Sequence, residues 1–400
     1  MYRSLVVLTS ALFAIGTDGF VIAGTLPEAA HSLDVSVATA GWLISAYAFT
    51  YGVLGPVTAA LTTRWPRRTL FLTGLGVFVA GNLLTALVPD FGVALASRAL
   101  AGLGGALVTP TAIAAAAAIA APERRGRAIA TVTVGLSVST ALGAPIGTAI
   151  GSVTGDWHAT MLFVSALGFL VAVGVALLMP TTPSPPPVPL RARLAPLADR
   201  RVGLTLLTRL LLFTGLYTVY SYIAESLDRA TGSSGTTLAA LLFAWGVAST
   251  IGTLGAGHLV DRRIINITVA VPALDFALLP WSSAHLPTTV VALVVWGLCG
   301  WGFFTPQAHR LIGVMPSSAP MLTGLNSATY EGVSLAPLVG RLGIAWAGAH
   351  WLGPIAAVLI VLALATAEAA HVVIRRRKPR PTLLGHAELT KSPAAPAGTP

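Results

Sequence analysis

Apolar runs of about twenty residues recur along almost the whole chain, separated by short loops that carry arginine. A helix needs about 20 apolar residues to cross a bilayer core, and its backbone must then satisfy its own hydrogen bonds. Such runs fall near residues 5–27, 40–62, 69–88, 91–120, 127–151, 157–179, 202–224, 235–257, 264–281, 287–311, 320–343 and 351–373. They predict an all-α membrane protein with about twelve transmembrane helices. Only 10% of the 400 residues are charged, against about 25% in a soluble domain, and the mean hydropathy is +0.80. Arg3 before the first run has the look of a signal peptide. The run is long, contains Asp18 and leads into further spans, so it reads as a retained first helix.

The formal charge of +10 sits in alternate loops. Arg64, Arg67 and Arg68 follow helix 2; Arg124, Arg125 and Arg127 follow helix 4; Arg191, Arg193, Arg200 and Arg201 follow helix 6. Arg262 and Arg263 follow helix 8, and Arg375, Arg376, Arg377 and Lys378 follow helix 12. The opposite loops hold Glu28, Asp34, Asp90, Asp156, Glu225 and Asp228. By the positive-inside rule both termini are expected in the cytoplasm, with the chain in the cell membrane. Trp42, Trp157, Trp281 and Trp351 then fall near outer helix ends as interfacial anchors. The basicity reports topology rather than a nucleic-acid partner.

Chemistry of other kinds finds no footing. Cys299 is the single cysteine and lies in an apolar run, so neither a disulfide framework nor a cysteine metal site is expected. HExxH, GxSxG and P-loop motifs and a clustered His/Cys set are missing from the sequence. The reading is therefore not an enzyme, with no catalytic residue, metal or cofactor. An ion gradient is a simpler energy source than ATP.

The stretch PTTPSPPPVPLRARLAPLADRR, residues 180–201, is the one long polar connection and reads as a semi-rigid cytoplasmic linker. It divides the chain into six-helix bundles at 1–179 and 202–374, with a basic, disordered tail at 375–400. The halves echo one another. RWPRR (Arg64 to Arg68) after helix 2 is answered by GHLVDRR (Gly257 to Arg263) after helix 8, and GAPIG in helix 5 by LAPLVG in helix 11. Such offsets are expected of a duplicated six-helix unit.

Helix 5 carries Gly135, Ser139, Gly143, Gly147 and Gly151 at four-residue spacing, with Pro145 among them. Residues four apart share a helix face, and small residues let membrane helices approach closely. Similar rows occur in helix 2 (Ala48, Gly52, Pro56, Ala60), helix 8 (Ala244, Ala248, Gly252, Ala256) and helix 11 (Gly324, Ala328, Gly332, Ala336, Gly340). Four matched faces lead to the expectation that the two halves meet and rock along them. The competing reading is chance, since Ala and Gly are abundant.

Taken together, TDGFVIAGTLPEAA in helix 1, RWPRR with its counterpart DRR, RALAGLGGA in helix 4, PERRGRAIA before helix 5 and GAPIG in helix 5 resemble the major facilitator superfamily. Within it they are most similar to the twelve-helix drug:proton antiporters, the arabinose- and chloramphenicol-efflux-like group. The resemblance covers residues 5 to about 375. It implies that helices 2, 5, 8 and 11 form the interface between halves and that helices 1, 4, 7 and 10 line a cavity. Thr63 stands where the family's loop usually has an Asp, which survives only in the second copy as Asp261. The gating loops Arg64, Arg67, Arg68, Asp261, Arg262 and Arg263 are thus expected to be lopsided. Helix 6 opens with Trp157 and His158 where the family often has Trp-Arg.

A charge inside the bilayer is costly and is a functional candidate by default. At 1.5 Å per residue, Asp18 and Arg98 each lie about 10 Å below the outer face, and at one depth they can pair. Burial opposes a charged carboxylate and a nearby guanidinium favours it, so small movements would switch a proton on Asp18. A static ion pair that fixes packing is the alternative. Glu331, near Asn326 in helix 11, is a second proton site, a substrate contact or a packing group. Arg209 in helix 7 pairs with a cavity acid or reaches inward, and Asp275 in helix 9 reads as a structural acid. Tyr47, Tyr217, Tyr220, Trp296 and Gln307, with Asn326, are candidate cavity residues, against a core-packing role for each.

The reading is efflux of a small organic molecule, amphipathic or drug-like, in exchange for protons by alternating access. The expected partners are that substrate, protons and the bilayer, with the chain acting as a monomer. Uptake or facilitated diffusion of a sugar, nucleoside or metabolite is the nearest rival. An intramembrane enzyme or receptor is the remote one.

Overall fold

The computed structural model describes residues 2–62, 65–87, 90–180, 191, 194–256, 262–315, 322, 325 and 332–376. Among them the elements are helices and the turns that join them. The long helices are α1 (Tyr2–Val21), α2 (Trp42–Leu61), α3 (Arg67–Leu87), α4 (Phe91–Ile119), α5 (Arg125–Thr154), α6 (Trp157–Leu178), α7 (Arg200–Ser221), α8 (Gly235–Ala256), α9 (Arg262–Ser282), α10 (Leu286–Val314), α11 (Gly332–Ala347) and α12 (Leu352–Arg376). Eleven of them are long and apolar enough to cross a membrane; α11 is a shorter apolar helix over its described residues. Arg64, Asp261, Asn326, Glu331, Gly324, Ala328 and residues 181–190 and 377–400 lie outside the described residues.

Several loop acids set where the helices begin. Asp90 accepts from the Val93 N–H at 2.9 Å, Asp156 from His158 at 2.9 Å and Asp199 from Arg201 at 2.8 Å. Each satisfies an otherwise orphaned amide at a helix start. Gly155, at φ +67°, ends α5 in the left-handed conformation that suits glycine. Large apolar side chains such as Phe169, Leu170, Leu274 and Leu342 point outward and are exposed, as a lipid-facing surface requires. Trp281 and Trp351 are also exposed and meet edge to face at 6.1 Å. Trp157 is only 1% exposed; it opens α6 inside the protein and is not a surface anchor.

Two groups of helices emerge from the packing. In the first, α3 packs on α4 and α6, α2 on α4, and α1 on α4, α5 and α6; in the second, α7 packs on α11 and α12, α8 on α10, and α9 on α10 and α12. Across the groups, α5 meets α8 and α2 meets α11. These are the expected interface helices, but the glycine row of α5 does not face the other half.

The glycine row of α5 packs on α1, inside its own half. A side chain at Gly135 would strike the Thr9 carbonyl, one at Gly143 would strike Thr17, and ones at Gly147 and Gly151 would meet Val21 and Thr25. Ser139 and Thr148 in turn fill the spaces over Gly16 of α1 and over Gly24 in the 3₁₀ turn that follows it. The rows of α8 and α11 behave alike at one glycine each: Gly252 of α8 lies on the Leu298 carbonyl of α10, and Gly340 of α11 on Tyr222 and the Thr218 carbonyl. The rows therefore zip each half together, because a smooth face allows close approach to any neighbour with matching small groups. The contact between halves falls elsewhere. Gly246 of α8 sits on Thr140 and Ala141, Gly235 on Ser152, and Ser45 donates to the Ser334 carbonyl at 2.9 Å.

Pro145 acts locally. It lacks a donor and crowds the preceding turn, and the helix widens into a π-turn at Ser139–Gly143 just before it. Such bulges absorb a break without ending the helix.

Candidate functional site

Asp18 and Arg98 come together as their depths imply. Arg98 Nη1 donates to Asp18 Oδ1 at 2.5 Å, and both residues are 1% exposed. A third residue, Asn82 of α3, completes the group. Its Nδ2 donates to Asp18 Oδ2 at 2.9 Å and its Oδ1 accepts from Arg98 Nη1 at 3.0 Å. Asn82 thus holds both charges at once, which a buried pair needs if its desolvation is to be offset. Its signal in the sequence was a lone amide in an otherwise apolar run.

Tyr47 of α2 covers this group. The Arg98 guanidinium lies 4.6 Å from its ring centroid, a cation–π distance, while the Tyr47 hydroxyl donates to the Ile15 carbonyl at 3.0 Å. Tyr51 stacks on Tyr47 at 6.1 Å and bonds Thr109 at 3.2 Å. Arg98 Nε has no hydrogen-bond partner among the described residues. The site is a dry, nearly saturated ion pair in which a proton arriving on Asp18 would break the strongest contact.

The second half presents rings instead of charges. Tyr217 and Tyr220 of α7, Trp245 of α8 and Trp296 and Trp301 of α10 cluster, with Tyr220 and Trp245 at 5.0 Å and Trp245 and Trp296 at 5.3 Å. Phe20 of α1 inserts among them, and the Tyr220 hydroxyl donates to the Phe20 carbonyl at 3.0 Å. Phe20 was not singled out by the sequence, since one Phe in an apolar helix carries no mark of its direction.

Arg209 lies over Phe213 at 5.1 Å, and Phe213 stacks on Tyr217 at 5.8 Å. Gln307 is fully buried and donates to the Thr205 carbonyl at 2.6 Å, bracing α10 against α7. Its Oε1 has no partner among the described residues. Of the loop arginines, Arg67 donates to the Ala114 carbonyl of α4 at 3.1 Å, and Arg68 to the Ala176 carbonyl of α6. Cations suit helix C-terminal carbonyls; both arginines tie together helices of the first half. Arg262 and Arg263 open α9.

At the end of the molecule opposite Tyr2 and Arg376 the halves are clasped. Besides Tyr220 on Phe20, Tyr222 shares its one hydroxyl proton between the carbonyls of Ala38 at 3.1 Å and Pro337 at 2.9 Å, joining both halves.

A helical bundle of this topology with a charge site between its helices is a membrane transporter architecture, and the comparisons give its family. The sequence profile of the Major Facilitator Superfamily matches residues 8–334, and the chain belongs to that superfamily. It is 28% identical over 365 residues to YbcL, an MFS-type transporter of Bacillus subtilis (strain 168), covering 89% of this chain and 93% of that one. It is 31% identical over 364 residues to a chloramphenicol resistance protein of Streptomyces lividans, covering 86% and 92%. A bacterial homologue of the human lysosomal transporter Spinster, in an inward-facing and unoccupied conformation, has the same fold with TM-score 0.77 at 17% identity, covering 95% of this chain and 99% of that one.

Proposed function

We propose that this transporter exports a small organic molecule, amphipathic or drug-like, across the cell membrane in exchange for protons, with both termini in the cytoplasm. The observation that carries this reading is the buried Asp18–Asn82–Arg98 group. A carboxylate and a guanidinium are costly inside a bilayer, and a structural role alone is met as well by apolar packing. Likeness to a chloramphenicol resistance protein supports the direction and the kind of substrate.

In this reading the unprotonated Asp18 is held by Arg98 and Asn82 while α1 is clasped to the second half. Protonation removes the charge that Arg98 pairs with, and α1 loosens from α4. The last turn of α1 carries Phe20, so the clasp at Tyr220 loosens with it. The halves then rock about the α5–α8 and α2–α11 contacts, and the proton leaves on the other side. The glycine row Gly135, Gly143, Gly147 and Gly151, with Pro145, keeps α1 and α5 moving as one body. The loops around Arg64, Arg67, Arg68 and Asp261 to Arg263 limit the swing. Arg209, Gln307, Asn326 and Glu331 are proposed to line the path from the second half.

The test is purified protein in liposomes, with labelled chloramphenicol outside and a pH gradient imposed in either direction. Antiport predicts accumulation in an acid lumen and none in an alkaline one. Accumulation in the alkaline lumen would mean symport, and indifference to the gradient facilitated diffusion; either overturns the reading.

A further inference from the structure

Phe20 belongs to the first half by sequence, yet its ring sits among the rings of the second. Its centroid lies 5.6 Å from Tyr220, 6.0 Å from Tyr217 and from Trp301, and 6.3 Å from Trp245. Trp296 closes the far side, 6.3 Å from Tyr220. None of these side chains is charged, and Phe20 is 3% exposed. The arrangement is that of a ring held in a box by edge-on and tilted neighbours, the contacts that aromatic groups prefer.

One polar atom of the box is unused. Trp245 is 1% exposed, and its indole N–H has no hydrogen-bond partner among the described residues. Buried donors are almost always paired, and an unpaired one in a native structure calls for an explanation. An acceptor on a bound molecule would meet it. The same donor separates classes of ligand. A cation is drawn to ring faces but cannot accept from an N–H, and the six side chains that form the box include no acid. A neutral ring bearing a carbonyl or nitro oxygen uses both the faces and the donor, and a buried donor discriminates against analogues that leave it unmet.

Phe20 is also placed to leave. The α-helical run of α1 ends at Val21 and passes into a 3₁₀ turn at Ile22–Gly24. The carbonyls of a last helical turn lack intrahelical partners, and Tyr220 takes that of Phe20. The ring can therefore withdraw without opening a helix interior. Asp18, two residues earlier, faces Arg98 and Asn82, so displacing Phe20 would also move the carboxylate.

We infer that this box is a binding site for a neutral aromatic molecule with a hydrogen-bond acceptor, that Trp245 donates to the acceptor, and that Phe20 is an internal placeholder whose ring the ligand displaces. The inference rests on the proposal that the chain carries a small organic molecule, and it ties ligand binding mechanically to Asp18.

Equilibrium dialysis of the full-length protein in detergent tests it, with labelled chloramphenicol as the neutral nitroaromatic probe and tetraphenylphosphonium as an aromatic cation without an acceptor. Trp245→Phe keeps a ring and removes the donor, and is expected to weaken chloramphenicol binding about tenfold while leaving tetraphenylphosphonium unchanged. Phe20→Ala removes the competitor and is expected to tighten chloramphenicol binding severalfold; Phe20→Leu, which keeps apolar bulk, is expected to tighten it less and serves if the alanine variant does not fold. A wall residue would show the opposite sign. Weaker binding in the Phe20 variants, no effect of Trp245→Phe, or no chloramphenicol binding to either wild type or Phe20→Ala overturns the inference. No gradient is present, so binding that behaves as expected with flux indifferent to pH would sink the antiport reading and leave this one standing.

Discussion

Two residues of α1, Asp18 and Phe20, stand two places apart and face opposite halves of the molecule. Asp18 enters a polar group made wholly by the first half, with Asn82 and Arg98. Phe20 enters a ring cluster made by the second. The first half thus holds its share of the centre by charge and hydrogen bonds, which change in a step when one proton arrives. The second holds it by dispersion and ring contacts, which tolerate exchange of one ring for another. In the proposed function a single helix end couples a proton-sensitive environment to a ligand-tolerant one, a division that two identical halves could not supply.

The largest expected effect comes from breaking the charged side. Arg98→Ala leaves Asp18 as an uncompensated buried charge, a change that costs about 3–5 kcal/mol. It should lower the thermal midpoint of the protein in detergent by more than any ring substitution in the second half, and Arg98→Lys should not fully restore it, because a point charge loses the Nη2 contact to the Asp18 carbonyl at 3.4 Å and the planar packing on Tyr47. Next comes the zipped face of α5. Gly143→Leu would drive a side chain into Thr17, and overpacking of this kind costs about 1–3 kcal/mol or more. Folded protein recovered by size exclusion should fall. Gly246→Ala, at the contact between halves, should leave recovery intact and weaken the closed clasp, seen as slower cross-linking of a Ser45→Cys, Ser334→Cys pair.

A smaller effect is expected from Asn82→Ala, which removes one hydrogen bond from each partner of the ion pair; a loss of about 1–3 kcal/mol should appear in the same thermal assay. The smallest lies at the surface. The Asp156 carboxylate is held below its usual value of 3.8 by the backbone N–H of His158, with the His158 ring assisting. Its capping contribution, about 1 kcal/mol, is therefore present above pH 3.8 and lost as pH falls through the lower folded value. Asp156→Ala should remove it at pH 7 and erase the difference from wild type in stronger acid.

These contrasts also mark what could be read from the chain. The spans were legible because bilayer thickness fixes their length, and the meeting of Asp18 with Arg98 because depth along two helices can be counted. The four-residue rows were legible as smooth faces, but spacing says nothing about which neighbour fits a smooth face. Thr17 and Ser139, supplied by α1 and α5 to each other's small positions, decided that. Asn82 lies on a helix outside the expected cavity set, and only the assembled bundle brings it to the pair. The direction of Phe20 depends on how two halves dock, which local pattern does not encode.

Asp18 is the proposed proton-exchanging group. In liposomes, Asp18→Asn should keep exchange of labelled for unlabelled chloramphenicol with no gradient, because Asn82 and Arg98 still have an amide to bond, and should lose accumulation driven by an acid lumen. If Asp18→Asn accumulates chloramphenicol in an acid lumen as the wild type does, Asp18 is a packing residue and the central claim is wrong.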